Sequence, residues 1–273
     1  FPPPGSDDIQ ALNGSGRAPA AASAADLRAR GHSTVPLNTP DAVTIPCAID
    51  AFCRLSADHG KLGLDALLAP AIHYAETGVP VAPRVALDWP TAGKTLQGHA
   101  VEHYSNNGKP LTIGEIFRSP GQAEVLRRIA RDGRDAFYTG EVADDMLAAL
   151  TTLGGVHTGD DFAAASSDDT TPISGTYQGV DLVEHPPNGQ GATAILMLNI
   201  LSHFDIARMD PDGSQRAHIE AEAAKLAYDA RNRLLADPDH TARLDHMLAP
   251  ETAAKLAALI DPQNAMPDPA PVA

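Results

Sequence analysis

The chain is short of aromatic residues, of cysteine and of positive charge, and each shortage excludes something. One Trp, five Tyr and six Phe amount to 4% of 273 residues, so the core has to be assembled from aliphatic side chains. Only Cys47 and Cys53 are present, too few for a disulfide framework or for a zinc knuckle of paired C-x-x-C motifs. Two free, buried thiols are expected. Lys and Arg number 20 against 35 Asp and Glu, a net charge of -15, which argues against a nucleic-acid surface, because such surfaces need clustered cations to displace counterions. No run of about 18 apolar residues exists to span a membrane, and no charged-then-apolar signal segment opens the chain. There is no internal repeat.

What the chain does have is alanine, the best helix former, within a 43% hydrophobic and 20% charged composition typical of globular proteins. Apolar spacing predicts helices at about 20–30, 50–59 and 64–77, the last with Leu64, Leu67, Leu68, Ala71, Ile72 and Ala75 on one face. Ser119-Pro120 has the order of a cap followed by a first-turn proline and predicts a helix up to Gly133. Further helices are expected around Val142–Leu150, from Gly191 through Leu201, over 214–236 and over 250–260. Strands are expected at Ile9–Leu12, Ile173–Tyr177 and Val180–Val183, the last two joined by a turn at Gly179. The stretch from Trp89 to Pro110 reads as irregular, as do the turn-like opening at Phe1–Asp8 and the tail with Pro262, Pro267, Pro269 and Pro271.

Three segments, in order, resemble the γ-glutamyltranspeptidase family. The first runs from Ile45-Pro46-Cys47-Ala48-Ile49-Asp50-Ala51-Phe52 through His59-Gly60 to Leu68-Ala69-Pro70-Ala71-Ile72. Gly133-Arg134-Asp135-Ala136-Phe137-Tyr138-Thr139-Gly140, Gly154-Gly155, Asp160-Asp161-Phe162 and Pro172-Ile173-Ser174 form the second. Pro186-Pro187-Asn188-Gly189-Gln190-Gly191, Leu198-Asn199-Ile200-Leu201, Glu222 to Tyr228, Arg231 and Asp237-Pro238 form the third. Together they cover about four fifths of the chain.

The resemblance implies an α+β fold: an αββα N-terminal-nucleophile sandwich shared with a second, small subunit cut from the same precursor, with this chain as its helix-rich large subunit. Residues 1–260 would belong to that domain, its N-terminal part missing, and 261–273 would form a tail leading to the autocleavage site, at or shortly after Ala273. The nucleophile would be the N-terminal threonine of the small subunit, activated by its own α-amino group, so no catalytic residue is expected on this chain. Neither a metal nor an organic cofactor is expected, and the partners implied are the small subunit and a small-molecule acyl donor, with no nucleic acid or membrane. A dimer of heterodimers is allowed. The antibiotic-pathway precedent within the family and the lack of a signal remnant point toward the cytoplasm, though many members are exported.

The family's large subunit grips the substrate α-carboxylate with an arginine in a loop just before Ala-Pro. Here that loop reads Asn13-Gly14-Ser15-Gly16-Arg17-Ala18-Pro19, with Ser15 at the family position and Arg17 two residues later. A guanidinium offers a carboxylate a bidentate fork and serine a single neutral bond, so Arg17 is the candidate substrate-binding residue, against a surface salt bridge as the plain reading. The Gly-Ser-Gly-Arg-Ala-Pro form resembles the branch called γ-glutamyltransferase-like or cephalosporin-acylase-like. Two other outcomes stay open within the family: a homologue in antibiotic biosynthesis that cleaves a carbon–carbon bond, and a catalytically silent scaffold. Cys47 stands where the family has glycine, which implies a relaxed turn or a small apolar contact.

Competing motifs are weaker. His99-Ala100-Val101-Glu102-His103 spells the H-x-x-E-H of inverted zinc peptidases, but its glycine- and asparagine-rich flanks suit a turn. Gly14-Ser15-Gly16-Arg17 lacks the lysine and full glycine pattern of a phosphate loop. Asn188-Gly189-Gln190-Gly191 reads as a turn permitting close packing, and Asp144-Asp145, Asp160-Asp161 and Asp168-Asp169 as helix starts and solvated loops.

Overall fold

The computed structural model describes residue 5 and residues 8–268. Most of the turn-like opening at Phe1–Asp8 and the last prolines of the tail lie outside them. The chain forms two compact units, a subdivision that the sequence did not announce: one comprises residues 14–167, the other the segments 1–13 and 168–273.

Strand β1 (Ala11–Asn13) belongs to the second unit; the first contains helices α1 (Ala24–Ala29), α2 (Ala48–His59), α3 (Leu64–Thr77), α4 (Pro83–Ala92), α5 (His99–His103), α6 (Pro120–Asp132), α7 (Asp135–Tyr138), α8 (Glu141–Thr152) and α9 (Gly159–Ala163), with strands β2 (Val79–Pro80) and β3 (Ile116–Phe117). α3 lies against α6, and the antiparallel β2–β3 ladder ties the segments beside them. The stretch read as irregular from Trp89 is partly helical: α4 begins with Pro83 as its first residue and continues past Pro90 to Ala92, and α5 follows. Ser119 is the N-cap residue of α6 but caps nothing with its side chain; its hydroxyl pairs with His103 Nε2 at 3.0 Å. Ile45, Tyr138, Ala143 and Phe162 form the buried centre of this unit.

The second unit contains β1, β4 (Asp168–Thr170), β5 (Ile173–Tyr177), β6 (Val180–Glu184), α10 (Gly191–Leu201), α11 (Ser214–Leu234), α12 (Leu244–Leu248) and α13 (Pro250–Ala257). β1 pairs with β4 and β5 with β6, both antiparallel, so Asp168-Asp169 sits in a strand and not in a loop. α10 is apolar on nearly every side, as a central helix must be, and Ala192, Ile195, Leu196, Ile200 and Leu201 are buried. It packs on α11 through Ile219, Ala223, Leu226 and Ala227, with Met247, Leu256 and Ile260 completing the cluster. Each Leu or Ile buried this way stabilises the fold by roughly 1.5–3 kcal/mol. Two glycines of this unit allow close approaches: a Cβ at Gly175 would stand 2.7 Å from Ile195 Cγ2, and one at Gly191 would stand 2.6 Å from the His185 carbonyl oxygen. Close packing is thus the role of Gly191.

Candidate functional site

The loop carrying Ser15 and Arg17 has its shape imposed by what lies beneath it. Gly16 has φ +79°, and a Cβ there would stand 1.7 Å from the carbonyl oxygen of Ile45; a Cβ on Gly14 would stand 2.7 Å from Ala51 Cβ. Only glycine allows this approach. The Ile45 N–H donates to the Arg17 carbonyl at 2.8 Å, Pro19 is buried, and the Ala20 N–H donates to Asp161 Oδ1 at 2.9 Å. The same Asp161 closes a capping box with Thr158 at the start of α9. Glycines thus face the packed side, while Ser15 and Arg17 are exposed.

Beneath the loop, Ile45 and Cys47 are buried, and Cys47 is the N-cap residue of α2 with φ −102°. That backbone suits any L-residue, which accounts for cysteine where the family has glycine: the turn is relaxed and the small side chain is packed away. Neither cysteine is in a disulfide; Cys47 is buried and Cys53 only half-buried. Burial, with Asp50 nearby, pushes the Cys53 thiol up, away from a reactive thiolate.

Asp50, the third residue of α2, anchors this frame. Its backbone N–H donates to Tyr138 Oη at 3.0 Å. Its carboxylate accepts from Arg134 Nε at 2.5 Å, from the Ser167 N–H at 2.7 Å and from Ser167 Oγ at 2.5 Å. Arg134 also donates to Asp135 and to the carbonyls of Ala163 and Ala165, and its guanidinium lies over the Tyr138 ring, 4.6 Å from the centroid. Arg54 donates to the Ser167 carbonyl at 2.6 Å. Burial pushes the Asp50 carboxyl up, but the Ser167 hydrogen bonds and Arg134 outweigh it and hold the carboxyl below the usual aspartate range. Burial pushes the Tyr138 phenol up to about 12, so it stays neutral.

The Gly133-to-Gly140 motif therefore braces the start of α2, and α2 with Ile45 cradles the loop. Sequence reasoning assigned no role to Asp50, Arg134 or Ser167. The one signal for Asp50 was a charged residue in the otherwise apolar Ala48-Ile49-Asp50-Ala51-Phe52. The H-x-x-E-H residues lie elsewhere: α5 is five residues long, His99 is exposed 3.6 Å from Glu102, and His103 is bonded to Ser119. Among the described residues, no three His, Cys, Asp or Glu side chains cluster so as to hold a metal.

A family model described as gamma-glutamyltranspeptidase matches residues 5–273. The chain is 32% identical over 212 residues to the glutathione hydrolase-like YwrD proenzyme of Bacillus subtilis, covering 77% of this chain and 40% of that protein. It is 33% identical over 278 residues to the oxamate amidohydrolase proenzyme of Klebsiella pneumoniae, covering 97% and 51%. The crystal structure of cephalosporin acylase from Bacillus halodurans superposes with a TM-score of 0.83 at 33% identity, covering 93% of this chain and 49% of that one. The chain thus spans about half the length of these relatives, or less. It belongs to the γ-glutamyltranspeptidase family.

Proposed function

We propose that this chain is the large-subunit part of a two-chain N-terminal-nucleophile enzyme that transfers or hydrolyses an acyl group held in an amide. The observation that carries the reading is the cradled loop, which holds Ser15 and Arg17 on the exposed side of a fixed frame. The nucleophile is the N-terminal threonine of the small subunit. Its hydroxyl attacks the acyl carbon while its α-amino group takes the proton and passes it to the departing amine as the C–N bond breaks. Water or an acceptor amine then resolves the acyl-enzyme by the same path. This chain binds and orients: Arg17 grips a carboxylate of the acyl donor through its guanidinium fork, and Ser15 adds a neutral hydrogen bond. The αββα sandwich of the family fits the strand inventory, since the described strands form only two-stranded ladders, and such ladders are marginal until further strands or helices cover them.

Intact-mass spectrometry of the full protein after incubation with a γ-glutamyl anilide, and separately with a glutaryl donor lacking the α-amine, tests this reading. Acylation of a threonine-initiated partner chain is expected. The donor that reacts sorts the protein between transpeptidase and acylase specificity, and Arg17→Ala should raise KM for it at least tenfold. Absence of a processed, acylable partner chain would overturn the enzyme reading in favour of a silent scaffold.

A further inference from the structure

Three residues of α11, His218, Glu222 and Lys225, are spaced by four and three and so share one face. The tail is bound along that face. His218 Nε2 lies 2.8 Å from the Asp261 carbonyl oxygen. Asp261 folds the segment onto itself, accepting from the Gln263 N–H and from Asn264 Nδ2, both at 2.8 Å. Glu222 and Lys225 then take both polar groups of one residue: the Met266 N–H donates to Glu222 Oε2 at 3.0 Å, and Lys225 Nζ donates to the Met266 carbonyl at 2.9 Å. Lys225 closes the ring by donating to Glu222 Oε1 at 2.7 Å. The Met266 side chain packs on the core cluster of this unit.

The described part of the proline-rich tail, residues 261–268, has neither helix nor strand, as its prolines predict; side chains satisfy its backbone in place of a ladder. Glu222 is 1% exposed. Lys225 is 41% exposed, so the pair is buried only at its carboxylate and adds little net stability; the best-attested use of such a pair is to fix one register. Here the register fixed is that of Met266 on α11.

We propose that Glu222 and Lys225 are positioning residues for precursor processing, gripping Met266 so that the chain leaves α11 in one register ahead of the scissile peptide. The inference rests on the reading above, that residues 261–273 lead into the autocleavage site. In that step the threonine hydroxyl attacks the preceding carbonyl carbon, the C–O bond forms, the C–N bond breaks and the nitrogen takes the hydroxyl proton. Water then hydrolyses the ester, leaving a carboxylate on the large chain and a free N-terminal threonine. Such an intramolecular attack depends on placement, and misplacement by about 1 Å costs on the order of 100-fold.

The test follows conversion of the purified full-length precursor to two chains by intact mass over time, for wild type, Glu222→Gln, Lys225→Met and Lys225→Arg. Glu222→Gln and Lys225→Met should slow conversion at least tenfold. Lys225→Arg, which keeps donors to both partners, should recover most of the rate, and kcat per processed enzyme should stay within twofold of wild type in every variant. Amide exchange at Met266 should quicken in Lys225→Met without loss of protection in α10. Conversion at the wild-type rate in both Glu222→Gln and Lys225→Met overturns the proposal, as does an equal slowing in Lys225→Met and Lys225→Arg with a matching drop in melting temperature. A wild-type precursor that never converts overturns the processing reading itself and this inference with it.

Discussion

Replacing Arg134 with Met would remove the cation from the Asp50 cluster while keeping most of the side-chain volume. Asp50 is 6% exposed and Arg134 29%, so the variant leaves a buried carboxylate held only by the two Ser167 donors, and the Ala163 and Ala165 carbonyls lose a partner. Breaking a buried pair costs about 3–5 kcal/mol; the partial exposure of the guanidinium lowers the expectation to roughly 2–4 kcal/mol. For a unit of this size that is a fall in melting temperature of about 5–15 °C. The pH dependence has a definite sign. With Arg134 present the Asp50 carboxyl lies below its ordinary value, so its contribution is complete above about pH 4 and is lost only as pH falls further. Without Arg134 the effect of burial grows in weight and the carboxyl titrates higher, so the penalty should shrink as pH falls from 7 toward 5. Adding Asp50→Asn should restore about half of the loss, because a neutral amide still accepts from Ser167. Thermal melts of the full protein across that pH range read all three effects. A loss under 0.5 kcal/mol at pH 7, or one indifferent to pH, would refute the assignment of Asp50 and Arg134 as a coupled buried pair.

Tyr138→Phe leaves the Asp50 N–H without its acceptor and should cost about 1–2 kcal/mol by denaturant melts. In the wild type, absorbance at alkaline pH should show one of the five tyrosines titrating near 12. Because this phenol is held above its unfolded value, stability should be unaffected below about pH 10 and fall by roughly 2–3 kcal/mol by pH 12. Gly16→Ala, whose Cβ would meet the Ile45 carbonyl at 1.7 Å, should displace the loop and lower kcat/KM by at least tenfold, while helix content by circular dichroism changes little. Arg17→Lys keeps the charge and loses the fork; a KM between those of wild type and Arg17→Ala is expected, and a KM unchanged in both variants would remove Arg17 from the binding pocket.

The long helices were legible because periodicity is local: Leu64 to Thr77 is α3 as the spacing required, and the run from Gly191 to Leu201 could only be a buried helix. α4 was obscured by Pro90, whose ring usually ends a helix but here lies inside one. β2 and β3 are two residues each, too short to show an alternating pattern. The loop bearing Ser15 and Arg17 was found through its resemblance to a family motif, but its support was not. Asp50 stands 84 residues from Arg134 and 117 from Ser167, and Glu222 stands 44 from Met266. No spacing rule reaches across such separations; only the folded backbone brings these groups within hydrogen-bonding distance.

The register of the β1–β4 ladder has a consequence for how such a chain is assembled. Asn13 and Asp168 are paired residues, so the whole of 14–167 departs from and returns to one rung of a single antiparallel ladder. A two-residue turn is all that antiparallel strands need to be joined. Seen this way, residues 8–13 and 168–268 carry the continuous topology of a small α+β module, and 14–167 occupies the place of a hairpin turn. Splicing out that segment and closing the rung with Asn-Gly would leave the connectivity of the ladder unchanged, so the larger part of the polypeptide, the arginine-bearing loop included, is by connectivity an insertion between two paired residues.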